Sequence, residues 1–340
     1  MTTVLQPAET NQSPCESHTV GWKEAMKRAI RSQAELRREL GIPADPDASA
    51  AEQFPTFVPR EMLSRIRRGD PNDPILRQLL ATREELTESP DFVSDPVGDL
   101  EASVGGGLIH KYSGRALLIT HGACAVHCRY CFRREFPYTS VASVSEKWKT
   151  ALQHLRDDES IHEVLLSGGD PLTLADQTFE HLLDQIESIS HIRRLRLHSR
   201  LPIAIPQRLT DRLVDRLSSL RPICWFVIHC NHAAEIDDAV AAGISKLRRA
   251  GIPVLNQSVL LAGVNDDVDA LAELSEALID LGVQPYYLHQ LDQVSGASHF
   301  RVEPEVGRSI VNELRSRLPG YAVPTYVVET AGEKSKTPML

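Results

Sequence analysis

The sequence predicts a parallel α/β protein: an incomplete, TIM-like (β/α)6 barrel with a helical arm before it and a short tail after it. Two observations carry this. From Arg115 onward short apolar runs alternate with amphipathic helical patterns, the mark of parallel strands joined by right-handed crossovers. The reactive side chains then fall just after the carboxyl ends of nearly all of these runs. That is the distribution of a barrel, whereas an open doubly wound sheet gathers its chemistry at one switch point. Six units are too few to close an eightfold barrel.

In chain order, residues 1–18 are polar and without periodicity, and read as a mobile leader. Residues 19–104 read as an N-terminal helical arm. Trp22, Met26, Ala29, Ile30, Gln33, Leu36 and Leu40 are spaced for one amphipathic helix, stopped by Gly41-Ile-Pro43. Its basic residues interleave with Glu24, Glu35 and Glu39, as on a solvated face. Short helical pieces are predicted at 59–68 and 74–86. Apolar residues there are too few for a separate core, so the arm must wrap on something larger. The barrel, 105–302, has predicted strands at 116–120, 163–167, 194–198, 224–229, 254–260 and 285–289, with helices at 145–156, 177–189, 211–220, 235–250 and 267–281. A last helix, 303–318, and a tail complete the unit 303–340.

The 340 residues suffice for a large core, and a net charge of −9 offers no general affinity for nucleic acid or an anionic membrane. Small-molecule partners are expected. The amino terminus has neither a basic n-region nor an apolar h-region, and there is no apolar run of membrane-spanning length, so a soluble cytoplasmic protein is expected.

After the first strand comes Cys124-Ala-Val-His-Cys128-Arg-Tyr-Cys131. Three thiols on one loop can converge on an inorganic centre, and an odd local cluster is not a disulfide framework. Zinc would need a fourth ligand, for which His121 and His127 are near in sequence. A cubane cluster on three thiolates would leave one iron open. Cys224 and Cys230 lie in an apolar run and read as buried free thiols, and Cys15 lies in the leader. Gly168-Gly169-Asp170 follows the second strand. Paired glycines let a backbone approach a ligand closely, and the aspartate can accept from an ammonium group. Ser199-Arg200 follows the third strand, His229 closes the fourth, and Asp292 follows the last.

The C-x3-C-x2-C pattern, with Tyr130 before the last cysteine, resembles the signature of the radical S-adenosylmethionine (radical SAM) enzymes, and Gly168, Gly169 and Asp170 resemble the segment those enzymes set against the methionyl amine of SAM. Residues 105–138, His198-Ser-Arg-Leu-Pro-Ile203, Asn256-Gln-Ser-Val-Leu-Leu261, Pro285-Tyr-Tyr-Leu288 with Asp292, and 320–338 resemble the lysine 2,3-aminomutase family within that group. The resemblance implies the radical SAM crescent, a [4Fe-4S] cluster on Cys124, Cys128 and Cys131, SAM, and pyridoxal 5′-phosphate (PLP). It implies conversion of L-lysine to (R)-β-lysine with electrons from an unidentified low-potential donor. Lys336, followed by Thr-Pro, matches the PLP-binding lysine; Lys334 lacks that context. Phosphate contacts fall on Lys111, Tyr112 and Arg208, with Gln257 nearby, and His229 is counted with the cofactor-binding residues. Arg133 matches the clamp for the substrate carboxylate. Asp292 matches an acid holding the distal ammonium, and Glu329 stands where the lysine enzymes have a second aspartate.

The chain ends four residues after Lys336, and Asp267 stands where larger relatives have a zinc cysteine. It therefore resembles the compact subfamily whose β-lysine a separate ligase attaches to translation elongation factor P, and oligomerisation through that zinc extension is not implied. Two other readings stand beside this one: a radical SAM aminomutase for another amino acid such as glutamate, and a non-catalytic iron–sulfur or zinc protein. The acid at Asp292 favours lysine over glutamate.

Overall fold

The computed structural model describes residues 20–45, 49–138 and 144–339, so the expected leader and Cys15 lie outside the described residues. Ten strands form one sheet in chain order: β1 (Ser103–Gly105), β2 (Leu108–Tyr112), β3 (Arg115–Ile119), β4 (Glu163–Ser167), β5 (Arg194–Ser199), β6 (Ile223–His229), β7 (Val254–Val259), β8 (Gln284–His289), β9 (Thr325–Val328) and β10 (Thr337–Pro338). Neighbours from β3 to β9 are parallel, while β1, β2 and β10 join antiparallel at the two edges. Among the described residues β1 and β10 do not pair, so the sheet stays open, as a partial barrel does. The crossovers carry the helices Val144–Asp157, Asp176–Glu187, Asp211–Ser218, Asp238–Arg249, Val268–Asp280 and Pro304–Arg317.

The alternation along each strand explains both surfaces of the sheet. In β4, Val164 and Leu166 are fully buried, while Glu163, Leu165 and Ser167 turn to a central cavity. In β5, Leu195 and Leu197 are buried, and Arg196 and His198 face the cavity. The helices supply the other half of the core: Phe179, Leu182, Leu183 and Ile186 form the apolar stripe of Asp176–Glu187. The register brings Ile119 beside Ser167, Ser199 beside Ile228, His229 beside Gln257, and Val259 beside His289. The carboxyl ends of the strands thus form one rim.

Three features differ from the sequence expectation. A further parallel strand, β9, follows the last helix, and β10 folds back on it, pairing Thr337 with Val328. The hairpin β2–β3 extends the opposite edge. The single helix expected from Trp22 to Leu40 is two, Trp22–Lys27 and Gln33–Leu40. Between them Ile30 leaves the helix to exchange backbone hydrogen bonds with Val58 (2.8 and 2.9 Å) and is wholly buried, and Ser32 caps the second helix. Periodicity continues across the break because both pieces bury the same side.

The arm shares the barrel's core: Trp22, Ile30, Leu36, Leu40, Met62 and Leu76 belong to the same apolar cluster as Leu118, Val164 and Phe226. It is also tied by charge. Arg129, which stands between two of the cysteines, is fully buried and gives both Nε (2.7 Å) and Nη2 (2.6 Å) to Glu85, with further bonds to the carbonyls of Phe54 and Ala50. Glu85 also accepts from Arg134 at 2.9 Å. Removing one member of such a pair leaves the other charge buried and uncompensated. Glu85→Ala is therefore expected to cost about 3–5 kcal/mol, read as a fall in the denaturant midpoint; an unchanged midpoint would show the pair to be dispensable.

Candidate active site

Inside the crescent lies a cavity of about 680 Å³. Its walls include Cys124, Cys128, Cys131, Arg133, Lys111, Tyr112, Gly168, Gly169, Asp170, His229, Gln257, Asp292, Glu329 and Lys336, so of the residues to which the family resemblance gives a site role only Arg208 is missing.

The cysteine loop is seated on the turn after β4. Gly169 N–H donates to the His121 carbonyl (2.7 Å) and Asp170 N–H to that of Ala123 (2.8 Å). The approach is so close that a Cβ on Gly169 would lie 2.2 Å from the Ala123 oxygen, and one on Gly168, at φ +123°, would lie 2.7 Å from the His121 oxygen. Only glycine fits at either position. Asp170 does more for the fold than the sequence suggests. Its carboxylate accepts from Leu172 N, Ser199 Oγ, Arg200 N and Leu201 N, at 2.8–3.2 Å, which fills both oxygens. It braces the rim, and burial pushes its pKa up to about 6.

Burial also pushes the Cys124 thiol up and that of Cys131 to about 11, so an inorganic centre bound here displaces protons as it binds. The two histidines near in sequence are otherwise engaged. His127 Nδ1 lies 2.7 Å from the Pro55 carbonyl with its ring stacked on Phe54, and His121 Nε2 lies 2.7 Å from Thr173 Oγ1. Among the described residues these sulfurs and imidazoles form no group of three or more whose ligand atoms all lie within 4.8 Å of one another, as a four-ligand zinc site requires, which favours a three-thiolate cluster.

The charged half of the cavity is a chain of alternating sign. Arg133 Nε donates to Asp99 (2.6 Å), Lys111 Nζ contacts Asp99 (2.6 Å) and Glu329 (3.0 Å), and Lys336 Nζ donates to Glu329. Burial, with Glu329 nearby, pushes the Tyr112 phenol pKa up. Despite burial, Lys336 and Lys111 hold Glu329 down at about 2, and Arg133 and Lys111 hold Asp99 below the usual carboxylate range. Arg133 spends Nη1 on Ser167 Oγ (3.2 Å) and, among the described residues, keeps Nη2 uncommitted. Asp292 is in the opposite condition. Its Oδ1 is buried without a hydrogen-bond partner among the described residues, and burial, with Glu329 beside it, pushes its pKa up to about 7. In the tail, β10 turns Lys336 inward, whereas Lys334 is exposed.

Arg208 is a correction. Its guanidinium is fully buried away from the cavity, donating Nε to the Leu172 carbonyl (2.7 Å), pairing with Asp176 (2.9 Å) and lying over the Trp22 ring. It locks the arm to the barrel. The cavity's own guanidiniums, Arg115 over the Tyr112 ring and Arg196 on Glu163, were not singled out from the sequence. Arg196 and His198 could have been found from the inward parity of β5. Asp99 sits in an aperiodic loop held by Asp95 and gave no local signal. Asp267 caps the helix Val268–Asp280.

Residues 118–275 match the Radical SAM superfamily. The chain is similar to the L-lysine 2,3-aminomutase of Escherichia coli (strain K12), 45% identical over 94% of each chain. It is similar also to the enzyme of that name from Haemophilus influenzae, 39% identical over 96% of this chain and 97% of that one. With the Clostridium subterminale L-lysine 2,3-aminomutase it shares 35% identity over 94% of this chain and 77% of that one.

The raised Asp292 pKa has a thermodynamic consequence. The folded state holds this proton between about pH 4 and 7 where an unfolded aspartate has lost it, so its contribution is fully present below pH 4 and gone above 7. Without ligands, Asp292→Asn is expected to gain stability over the parent progressively from pH 4 to 7 and to hold that gap above 7, read from thermal midpoints. A gap independent of pH would contradict the assignment.

Proposed function

The chain belongs to the lysine 2,3-aminomutase family of radical SAM enzymes and is an isomerase of the aminomutase type, and from that premise we propose that its cavity moves the α-amino group of L-lysine to C3, giving (R)-β-lysine. The observation that carries this reading is the meeting of three thiols, Lys336, Arg133 and the unpartnered acid Asp292 in one cavity. When bound, the [4Fe-4S] cluster and SAM supply the electron and the hydrogen-abstracting group, and PLP the electron sink.

The protein's part is to hold and to orient. Cys124, Cys128 and Cys131 hold the cluster. Gly168 and Gly169 let the cysteine loop close onto the turn that faces SAM, with Asp170 bracing the turn and His229 on the same wall. Lys336 Nζ anchors PLP, held toward the cavity by its ion pair with Glu329. Lys111, Tyr112 and Gln257 serve the phosphate, and Arg115 takes the place first given to Arg208. Arg133, fixed by Asp99 and Ser167, offers Nη2 to the substrate carboxylate. Asp292 takes the distal ammonium. Glutamate would set a second carboxylate against Asp292 and Glu329, which disfavours that substrate. A scaffold protein has no use for a lysine turned inward onto a buried acid.

The higher identity to the Escherichia coli relative, 45% against 35% to the clostridial one, supports a place in the former's subfamily. With it goes the reading that a separate ligase transfers the product to translation elongation factor P. Among the described residues no helix is long and apolar enough to cross a membrane. We place the protein in the cytoplasm, where a low-potential donor can reduce it.

Anaerobic protein reconstituted with iron and sulfide, then given PLP, SAM, a reductant and L-lysine, is expected to yield β-lysine on chromatography. Cys128→Ala and Lys336→Ala are expected to yield none, and borohydride to fix PLP to the Lys336 peptide. Asp292→Asn is expected to raise the lysine KM about tenfold to a hundredfold, the worth of a hydrogen bond to a charged group. Turnover of glutamate with lysine untouched would overturn the substrate, and zinc in place of iron the whole reading.

A further inference from the structure

Arg200 follows β5, and its side chain runs beneath the cysteine loop to a sulfur. Nη1 donates to Cys128 Sγ at 2.7 Å and to Tyr130 Oη at 2.7 Å. Nη2 donates to Glu235 Oε2 at 2.9 Å and to Gln78 Oε1 at 2.7 Å. Arg200 is 5% exposed, and Glu235 and Gln78 are wholly buried. A guanidinium in such a place cannot shed its charge or drift into water, so its direction toward Cys128 is built in.

The surrounding groups hold both terminal nitrogens, while Nε is buried without a partner among the described residues. Glu235 is itself fixed by the N–H groups of Asn231 (2.9 Å) and His232 (3.1 Å) and by Gln78 Nε2 (3.2 Å). Asn231 Nδ2 donates both to Gln78 Oε1 (2.9 Å) and to Tyr130 Oη (2.7 Å), which closes the ring of contacts. The Arg200 backbone N–H is taken by Asp170, the brace of the rim. Gln78 comes from the arm, and its carbonyl accepts Arg129 N–H at 2.9 Å. The arm, the turn after β5 and the loop after β6 therefore converge on one cysteine. Nothing in the binding of lysine, PLP or SAM requires that convergence.

A cation donating a hydrogen bond to a cysteinate ligand stabilises the more negative, reduced form of a cluster relative to the oxidised form. We propose that Arg200 is a positioning residue of the redox centre: its Nη1–H on Cys128 Sγ raises the reduction potential of the cluster bound there, with Glu235, Gln78 and Asn231 fixing the guanidinium. This rests on the cluster reading above. The couple concerned is the one-electron reduction of the cluster, the electron coming from the external donor.

The test is a redox titration of anaerobically reconstituted holoenzyme, with the reduced cluster followed by electron paramagnetic resonance. Arg200→Lys keeps the charge against Glu235 but loses the fork, and is expected to show about a tenfold lower ratio of reduced to oxidised cluster at a fixed potential, equivalent to 59 mV for one electron. Iron and sulfide content should be unchanged. A midpoint equal to that of the parent overturns the proposal. Where Arg200→Lys fails to fold or to load a cluster, the parent enzyme carrying ¹⁵N-guanidino arginine decides: a ¹⁵N coupling to the reduced cluster is expected, and its absence overturns the proposal. A parent that binds no cluster removes the reading on which the proposal rests, an outcome recognised from iron content before any titration begins.

Discussion

The carboxylate of Asp170 is the constraint on which the rim depends. It follows the two glycines that let the cysteine loop close down on β4, and it gathers the N–H groups of Leu172, Arg200 and Leu201 with the Ser199 hydroxyl. One buried group thereby fixes the ends of two neighbouring strands and the loop above them. Its charge is costly to bury, as its raised pKa records, and hydrogen bonds from both strands offset that cost. The side chain of Arg200 can then reach Cys128 because its backbone is held by the same carboxylate.

The second organising feature is the alternating chain Arg133, Asp99, Lys111, Glu329 and Lys336. Buried charges of one sign would repel and hydrate; alternating ones can share a cavity wall without water. The chain also divides labour. Glu329 is occupied by two lysines and stays ionised, while Asp292, with no ion pair among the described residues, holds its proton up to about pH 7. A ligand carrying both a carboxylate and a distant ammonium finds Arg133 at one place and Asp292 at another. That pairing of an uncommitted donor with an unpartnered acid is the physical basis for favouring a diamino acid.

Much of this was legible in the sequence. The six expected strands lie within a residue of those observed, because apolar runs bounded by turn residues leave little freedom. The cysteines stood out by their spacing and the glycine pair by its place after a strand, whereas Lys336 was marked only by the family resemblance of its Lys-Thr-Pro context. What the sequence hid was long-range. Ile30 breaks a helix for the sake of Val58, Arg129 chooses Glu85, and Arg208 turns to Asp176 and Trp22 and not to the cavity. β9 and β10 are too short to stand out from a tail. Asp99 and Glu235 are acids whose partners come from elsewhere in the fold, which no local pattern reveals.

The central claim is that the amino group and a hydrogen exchange places between C2 and C3 of lysine inside this cavity. The most direct measurement is mass spectrometry of β-lysine formed anaerobically from L-lysine deuterated at C3, with the label located by fragmentation. The account predicts deuterium at C2 of the product without loss to water. Deuterium washed out into solvent, or retained only at C3, would contradict it.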